Sequence, residues 1–402
     1  MFINGFYKVD NYITPNKVDA LIYATKHNKR FEDIVWNFNN ELFGKADWTV
    51  EPTESIQSLY KKRAQQLRDK YPYIIARFSG GADSTNMVDS FLENGIFLDE
   101  ILYMFPKQLY DQQQIKPDGT NKASSNWVSE FELTVKPKLE YYQKISPHTK
   151  ITLYDYSNDT QHYLKDEYYY QHTTASIMFA RSQTNISFQD SSNYKRLADK
   201  QSKVCHLYGI DKPYIYKSQR GYNFYMSDLC FAMLERRHNK ETENLLTDNY
   251  VIEPFYFSKD CIDLLKKQCH LIVKWLKQNR QYDFLIVPDS YRKFFKPGVK
   301  PDWIEAWGDL VVPIIYPSFN TRVFQAYKQS SPFASELDNL HFNAFKNTRY
   351  FDVYVKGLEN LKSVIDRSLF NREEITIAHN NRIIDVPKSL RKFNSPLYFI
   401  GS

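Results

Sequence analysis

The sequence predicts an α/β protein on a parallel, doubly wound sheet, with an extension ahead of it and a mostly helical domain behind it. Three observations carry this. Apolar runs of strand length at 74–78, 100–105 and 150–156 alternate with amphipathic stretches of helix length. The first run stops abruptly at Ser79-Gly80-Gly81-Ala82-Asp83-Ser84-Thr85, where two glycines, an acid and hydroxyls open the next amphipathic stretch. A chain of 402 residues, 42% hydrophobic, is also long enough for two or three domains with a sizeable core. The expected division is an extension over 1–60, a sheet domain over 61–255 and a mostly helical domain over 256–402.

Within the extension, 31–43 is expected to be helical and 48–52 an extended link. Leu59, Ala64 and Leu67, set among Lys, Arg and Gln, predict an amphipathic helix over 55–71, with N-cap candidates in Thr53-Glu54-Ser55. A strand over 74–78 leads into a helix over 84–94, which Gly95 stops. The strand at 100–105 is closed by Pro106, and a polar loop over 107–125 follows. A long helix over 126–144 contains Pro137, which is expected to kink or divide it. After the strand at 150–156 come a helix over 160–183 and a polar stretch over 185–203, read as a substrate-covering loop. A strand at 204–208 turns at Gly209-Ile210-Asp211. Further on, 260–277 reads as an amphipathic helix and 375–386 as a hairpin.

Composition excludes several classes. Net charge is +6, mildly basic, and Lys61-Lys62-Arg63 and Leu390-Arg391-Lys392 are expected on solvated faces. No apolar run approaches the roughly 20 residues that span a bilayer, and Met1-Phe2-Ile3-Asn4-Gly5 lacks the features of a signal peptide. The expected compartment is the cytoplasm. Cys205, Cys230, Cys261 and Cys269 form no Cys-x-x-Cys pair, against a zinc ribbon or a disulfide framework. The nine histidines, His162 and His172 among them, form no His-Glu-x-x-His.

The stretch 79–85 suits phosphate. Without Cβ atoms, Gly80 and Gly81 let the backbone aim successive N–H groups into one concavity. The hydroxyls of Ser79, Ser84 and Thr85 add donors, and a helix beginning at Asp83 or Ser84 adds the positive end of its dipole. Asp83 is expected both to cap that helix and to ligate the Mg²⁺ that accompanies a nucleotide. The Lys of a Walker A loop is missing, and the adjacent glycines do not form a dinucleotide fingerprint. In a parallel sheet the ligand lies beyond the carboxyl ends of the strands, which points also to 103–106 and to Lys212, with Lys217 and Arg220 as alternatives.

Ser79-Gly80-Gly81-Ala82-Asp83-Ser84 resembles the SGGxDS signature of the PP-loop ATP pyrophosphatases. Gly209-Ile210-Asp211-Lys212-Pro213 and Glu253-Pro254-Phe255-Tyr256 resemble stretches of phage-encoded PP-loop proteins labelled asparagine-synthase-like or phosphoadenylyl-sulfate-reductase-like. The resemblance implies a PP-loop (HUP-like) fold with ATP and Mg²⁺ as cofactors. Ser79, Gly80, Gly81, Asp83, Ser84 and Thr85 would then bind phosphates and metal, the backbone at Met104 or Phe105 the adenine, and Lys212 the charge on the α-phosphate or departing pyrophosphate. The implied activity is adenylation of an acyl or carbonyl oxygen, followed by displacement of AMP by a nitrogen nucleophile. Its alternatives are sulfur transfer or adenylyl-sulfate reduction involving Cys205, and ATP binding without catalysis. Against the reductase stands a tail, 395–402, without cysteine; against a glutamine-hydrolysing synthetase stands Phe2 in place of a nucleophilic Cys. The acceptor would be a small molecule or a nucleic acid, not a membrane, in a host cytoplasm if the chain is phage-encoded. Whether the chain forms a homo-oligomer is left open.

Overall fold

A computed structural model of the chain describes residues 5–105, 107–112, 127–155, 203–210, 212–228, 250–286, 307–316, 349–372, 374–379, 382–387 and 390–402. The expected helix over 160–183 lies outside them, as do nearly all of the polar stretch 185–203, Asp211, His162, His172 and Cys230.

The N-terminal region is an antiparallel sheet of β1 (Phe6–Val9), β2 (Tyr12–Thr14) and β3 (Ile34–Asn37), in the order β2-β1-β3, with helix α1 (Lys17–Lys26) packed beside it. Asn16 starts α1 by accepting from the N–H groups of Val18 and Asp19. The helix expected over 31–43 is not formed. A 3₁₀ turn (Phe31–Asp33), β3 and a short α2 (Asn40–Lys45) take its place. The alternation of buried Ile34, exposed Val35 and buried Trp36 has the period of a strand, and pairing with β1 enforces it.

Helix α3 (Ile56–Lys70) forms as expected, with the Ser55 hydroxyl accepting from the Ser58 N–H at 3.1 Å. Its buried stripe contains Ile56, Leu59, Tyr60, Arg63, Ala64 and Leu67. Arg63 is therefore not on a solvated face. It stands four residues from both Leu59 and Leu67, on the inward side of the helix. In the second basic cluster Leu390 is buried and the Arg391 guanidinium lies 3.6 Å from the centre of the Phe31 ring.

The centre of the molecule is a parallel sheet of β4 (Tyr73–Phe78), β5 (Glu100–Phe105), β6 (Lys150–Asp155), β7 (Val204–Tyr208) and, after a hairpin of β8 (Tyr214–Ser218) and β9 (Gly221–Tyr225), β10 (Tyr250–Pro254). Its order is β10-β7-β4-β5-β6. The fold is α/β, as expected. Helix α4 (Ala82–Leu92) follows β4, and Gly95 closes its end at a φ of +70°.

After β5 the chain forms α5 (Lys107–Gln112), where a loop is expected. The helix containing Pro137 is divided not by a kink but by a π-helical segment, Phe131–Val135, between α6 (Trp127–Glu130) and α7 (Lys136–Ile145). Proline has no N–H to give to the preceding turn, and the wider π turn accommodates that loss.

Toward the C-terminus, α8 (Ile262–Gln278) packs against α3 and α9 (Trp307–Ile315), and α10 (Arg349–Val364) contacts α1. The hairpin of β11 (Glu374–His379) and β12 (Arg382–Pro387) matches expectation. Strand β13 (Tyr398–Gly401) pairs with β9, so the tail completes a three-stranded sheet, β13-β9-β8. One apolar cluster runs from Tyr7 to Ile400 and crosses both expected boundaries, at 60 and at 255. Among the described residues no helix is long and apolar enough to cross a membrane.

Candidate functional site

The order of the sheet singles out one place. From β4 the chain proceeds through β5 and β6 on one side, then returns to lay β7 and β10 on the other. Beyond the carboxyl ends of β4 and β7 the strand order reverses, the position at which open α/β sheets form their ligand crevice. Register pairs Arg77 with Tyr208, so Ser79 and Gly209 follow on neighbouring strands. Of the two segments singled out in the sequence, 79–85 therefore meets Gly209 and Lys212 at the switch point.

At the β4 end the loop is tightly built. Gly80 has a φ of +78°, and a Cβ there would collide with Val135 at the end of the π segment. The Ser84 hydroxyl, buried, accepts from the Ser79 N–H at 3.1 Å, stands 3.1 Å from the Ser79 hydroxyl and donates to the Gly81 carbonyl at 3.1 Å. Ser84 thus braces the loop. The Thr85 N–H bonds to the Gly81 carbonyl at 3.0 Å, which starts the helical ladder. Gly81 is the N-cap, in extended conformation, and Asp83 is in the first turn. This corrects the capping role expected of Asp83. Its side chain turns away from the N–H groups it would cap and meets other partners.

Those partners come from three distant segments. Lys212 Nζ lies 2.5 Å from Asp83 Oδ2. Tyr316, just after α9, donates to Asp83 Oδ1 at 2.7 Å, and Tyr256, after β10, donates to the Asp83 carbonyl at 2.7 Å. Asn86 Nδ2 donates to the Tyr256 hydroxyl at 3.0 Å. Burial pushes the phenols of Tyr256 and Tyr316 well above their ordinary range, and the Asp83 charge adds to the shift in both. They act as neutral donors. Tyr60 completes the aromatic cluster, 6.1 Å from Tyr256 and 6.2 Å from Tyr316 between ring centres, and donates to the Ile315 carbonyl at 2.7 Å.

Arg63 supports the Tyr256 segment from below. Its Nε donates to the Phe255 carbonyl at 3.0 Å, and its Nη2 donates to the Pro254 carbonyl at 3.1 Å and meets Glu253 at 3.4 Å. Lys70 at 2.7 Å and Tyr71 at 2.5 Å bind the other oxygen of that carboxylate.

At the other side of the crevice, the β4–β5 ladder ends at Phe78–Tyr103, whereas β5 continues along β6 through Phe105. Met104 and Phe105 therefore run past the end of β4, beside the loop. The Phe105 ring packs with Phe131 at 5.0 Å and Tyr110 at 5.2 Å. Lys217 does not join the site but pairs with Asp283, and Arg220 is exposed in the turn of the β8–β9 hairpin.

The sequence reading missed Tyr316, Asn86 and Arg63. Tyr256 lay within a quoted stretch, but nothing local to Tyr316 announces a contact 233 positions away. Cys205, Cys261 and Cys269 are buried, with their thiols pushed up chiefly by burial, which makes them poor nucleophiles.

A divalent cation is a separate question. Among the described residues, no three His, Cys, Asp or Glu converge as ligands. Magnesium arriving on a nucleotide needs only one or two carboxylates beside the phosphates, and Asp83, part-exposed at the loop, fits that need once Lys212 is displaced. No protein-family model matches the chain, and a search of curated proteins finds no match.

Proposed function

We propose that the crevice binds ATP and that the chain is an AMP-forming enzyme of the PP-loop type. It would adenylate an acyl or carbonyl oxygen, release pyrophosphate, and let a nitrogen nucleophile displace AMP. The observation that carries the reading is the convergence of the 79–85 loop and Lys212 at the switch point of a parallel sheet. The left-handed Gly80, the first N–H groups of α4 and the Ser79 hydroxyl make an anion cradle, and Lys212 supplies the charge. The backbone at Met104 and Phe105 would lie against the adenine. Asp83 would hold the Mg²⁺ that accompanies the nucleotide, whose charge would offset that developing on the pyrophosphate.

The protein's own contribution is positioning and charge. Tyr256 and Asn86 hold the first turn of α4 in place, Arg63 holds Tyr256, and Tyr316 fixes the Asp83 carboxylate. Held donors need no rearrangement as charge moves onto pyrophosphate, and that lowers the barrier. Lys212 would follow that charge. A sulfur-transfer reading would need a thiolate at the crevice, and the burial of Cys205 in β7 argues against it.

ATP–pyrophosphate exchange, followed by a mass-spectrometric search for AMP and an altered metabolite or nucleoside in expressing cells, tests the reading. Exchange that falls at least about 100-fold in Lys212→Ala supports it, since a fixed charge at a transition state contributes on that order. ATP that binds the wild-type protein no better than it binds Gly80→Val would overturn it.

A further inference from the structure

The π-helical turn Phe131–Val135 touches both halves of the proposed nucleotide site. Its carboxyl end meets the phosphate loop, where Val135, fully buried, fills the space that a side chain on Gly80 would need. Its amino end meets the base side, where the Phe131 ring packs on Phe105 at 5.0 Å and on Tyr103 at 5.4 Å between ring centres. The Lys136 N–H closes the turn by bonding back to the Phe131 carbonyl, five positions away. Such turns are uncommon within helices and recur at functional sites.

Each end is tied to a further element. Tyr110 of α5 donates to Glu132 Oε1 at 2.7 Å, and Lys136 pairs with Glu132 Oε2 at 3.0 Å. On the other side, α7 is bonded to α4, the helix that the phosphate loop opens. Buried Asp89 of α4 accepts from Tyr142 at 2.7 Å and pairs with Lys138 at 2.9 Å through the same oxygen. Tyr142 also reaches the Thr85 carbonyl at 3.4 Å. One continuous set of contacts therefore runs from the loop through α4, α7 and the π turn to α5 and the end of β5.

Resting on the nucleotide reading above, we propose that this π turn couples the phosphate half of the site to the base half. Val135 positions the loop, and Phe131 and Glu132 position the wall formed by Phe105 and Tyr110. A polyphosphate that fixes the loop also fixes the wall, through the turn. The base then meets a wall already ordered and binds at a smaller entropic cost. A whole nucleotide is favoured over its separate parts, and the turn acts as a specificity determinant without touching the reacting atoms.

The test is hydrogen exchange of the full-length chain with Mg²⁺ and inorganic tripolyphosphate, a probe that has no base. In the wild-type protein the probe is expected to slow exchange at 82–85 and also, by at least about fivefold, at 131–136 and 108–112. Val135→Ala should keep the protection at 82–85 and lose it at 131–136 and 108–112. Tyr110→Phe cuts only the bond to Glu132, so protection should reach 131–136 and stop short of 108–112. By calorimetry, Tyr110→Phe should weaken ATP about fivefold while tripolyphosphate changes by no more than about twofold.

Two outcomes overturn the coupling and leave the nucleotide reading standing. One is wild-type protection by tripolyphosphate confined to 82–85. The other is a loss in Tyr110→Phe that is equal for tripolyphosphate and ATP. If neither ligand binds or alters exchange in the wild-type protein, the coupling and the nucleotide reading fail together. Should Val135→Ala prove unfolded, the wild-type pattern and Tyr110→Phe decide the matter.

Discussion

Gly209 sits against the first turn of α4 so closely that a Cβ on it would stand 2.6 Å from the Asp83 carbonyl oxygen. That carbonyl is also the acceptor for Tyr256, so the approach of the β7 turn and the clamp of Tyr256 share one atom. A methyl group at 209 must push either the turn or the helix aside. Gly209→Ala is expected to destabilise the fold by roughly 1–3 kcal/mol, as overpacking does, and to weaken ATP binding as well. Gly44→Ala is the control. Nothing lies within 4 Å of a Cβ there, and the position is helical, so a gain of roughly 0.5–1 kcal/mol is expected. Urea denaturation of both variants, with ATP titrations on the folded proteins, checks the contrast.

Arg63 carries the next prediction. Its guanidinium is buried and satisfies two backbone carbonyls and a carboxylate that all belong to the segment leading into Tyr256. Truncation leaves those acceptors buried without their donor. Arg63→Ala should cost about 3–5 kcal/mol, the usual result of removing one partner from a buried pair. Lys70 and Tyr71 still hold Glu253 in the variant, so the loss is expected to fall on the carbonyls of Pro254 and Phe255. Faster hydrogen exchange at 253–257 than in the rest of the sheet would register it. Uniform exchange across the sheet would contradict the local role.

The same residue shows what the sequence could and could not convey. Arg63 stands in a Lys-Lys-Arg run that reads as solvated, yet its spacing from Leu59 and Leu67 already put it on the apolar stripe. The period was the better guide than the charge. Strands β4, β5 and β7 and helices α3 and α4 were legible because their signals are local: apolar runs, a capping serine, a closing glycine. The reading failed at 31–43, where Phe31, Ile34, Val35, Phe38 and Leu42 fall at helical spacing by coincidence and pairing with β1 prevails. At the site, the strand–turn–helix course around 79–85 was legible, although Gly81 and not Asp83 caps the helix, and the placing of Lys212 beside it followed from its position after a strand end. Tyr316 could not be foreseen. Its position depends on how α9 packs against α8, which no pattern near 316 records.

A second buried ion pair joins the two ends of the chain. Asp228 accepts from Tyr7 at 2.8 Å and from the Phe393 N–H at 3.0 Å and pairs with Lys17 at 2.6 Å, with both charged side chains at most 1% exposed. Lys17 also lies 5.1 Å from the centre of the Phe393 ring. Asp228→Ala leaves an ammonium buried without its counter-charge and should cost about 3–5 kcal/mol. Replacing both partners, as Lys17→Met with Asp228→Leu, should be markedly less damaging, because no unpaired charge remains. Limited proteolysis is expected to cut the N-terminal 48 residues from the single variant first. A double variant less stable than the single one would show that the pair contributes more than mutual neutralisation.

Alkaline pH probes the cluster beneath the loop. Tyr60, Tyr256 and Tyr316 are buried, and burial raises each phenol above its ordinary value. In the unfolded chain they lose their protons near pH 10, whereas the folded state keeps them. Above about pH 10 the folded protein binds more protons than the unfolded one, so stability falls as pH rises; the contribution is complete below that value. Each such tyrosine adds about 1.4 kcal/mol of loss per pH unit. Tyr316→Phe should therefore flatten the decline by one such increment. At neutral pH it should still cost roughly 1–3 kcal/mol, because Asp83 Oδ1 loses its donor. Denaturation curves between pH 8 and pH 11, with tyrosinate absorbance recorded alongside, separate the two effects. If tyrosinate forms in the native protein at the pH of free tyrosine, with no cooperative unfolding, the cluster is open to solvent and the clamp on Asp83 is not rigid.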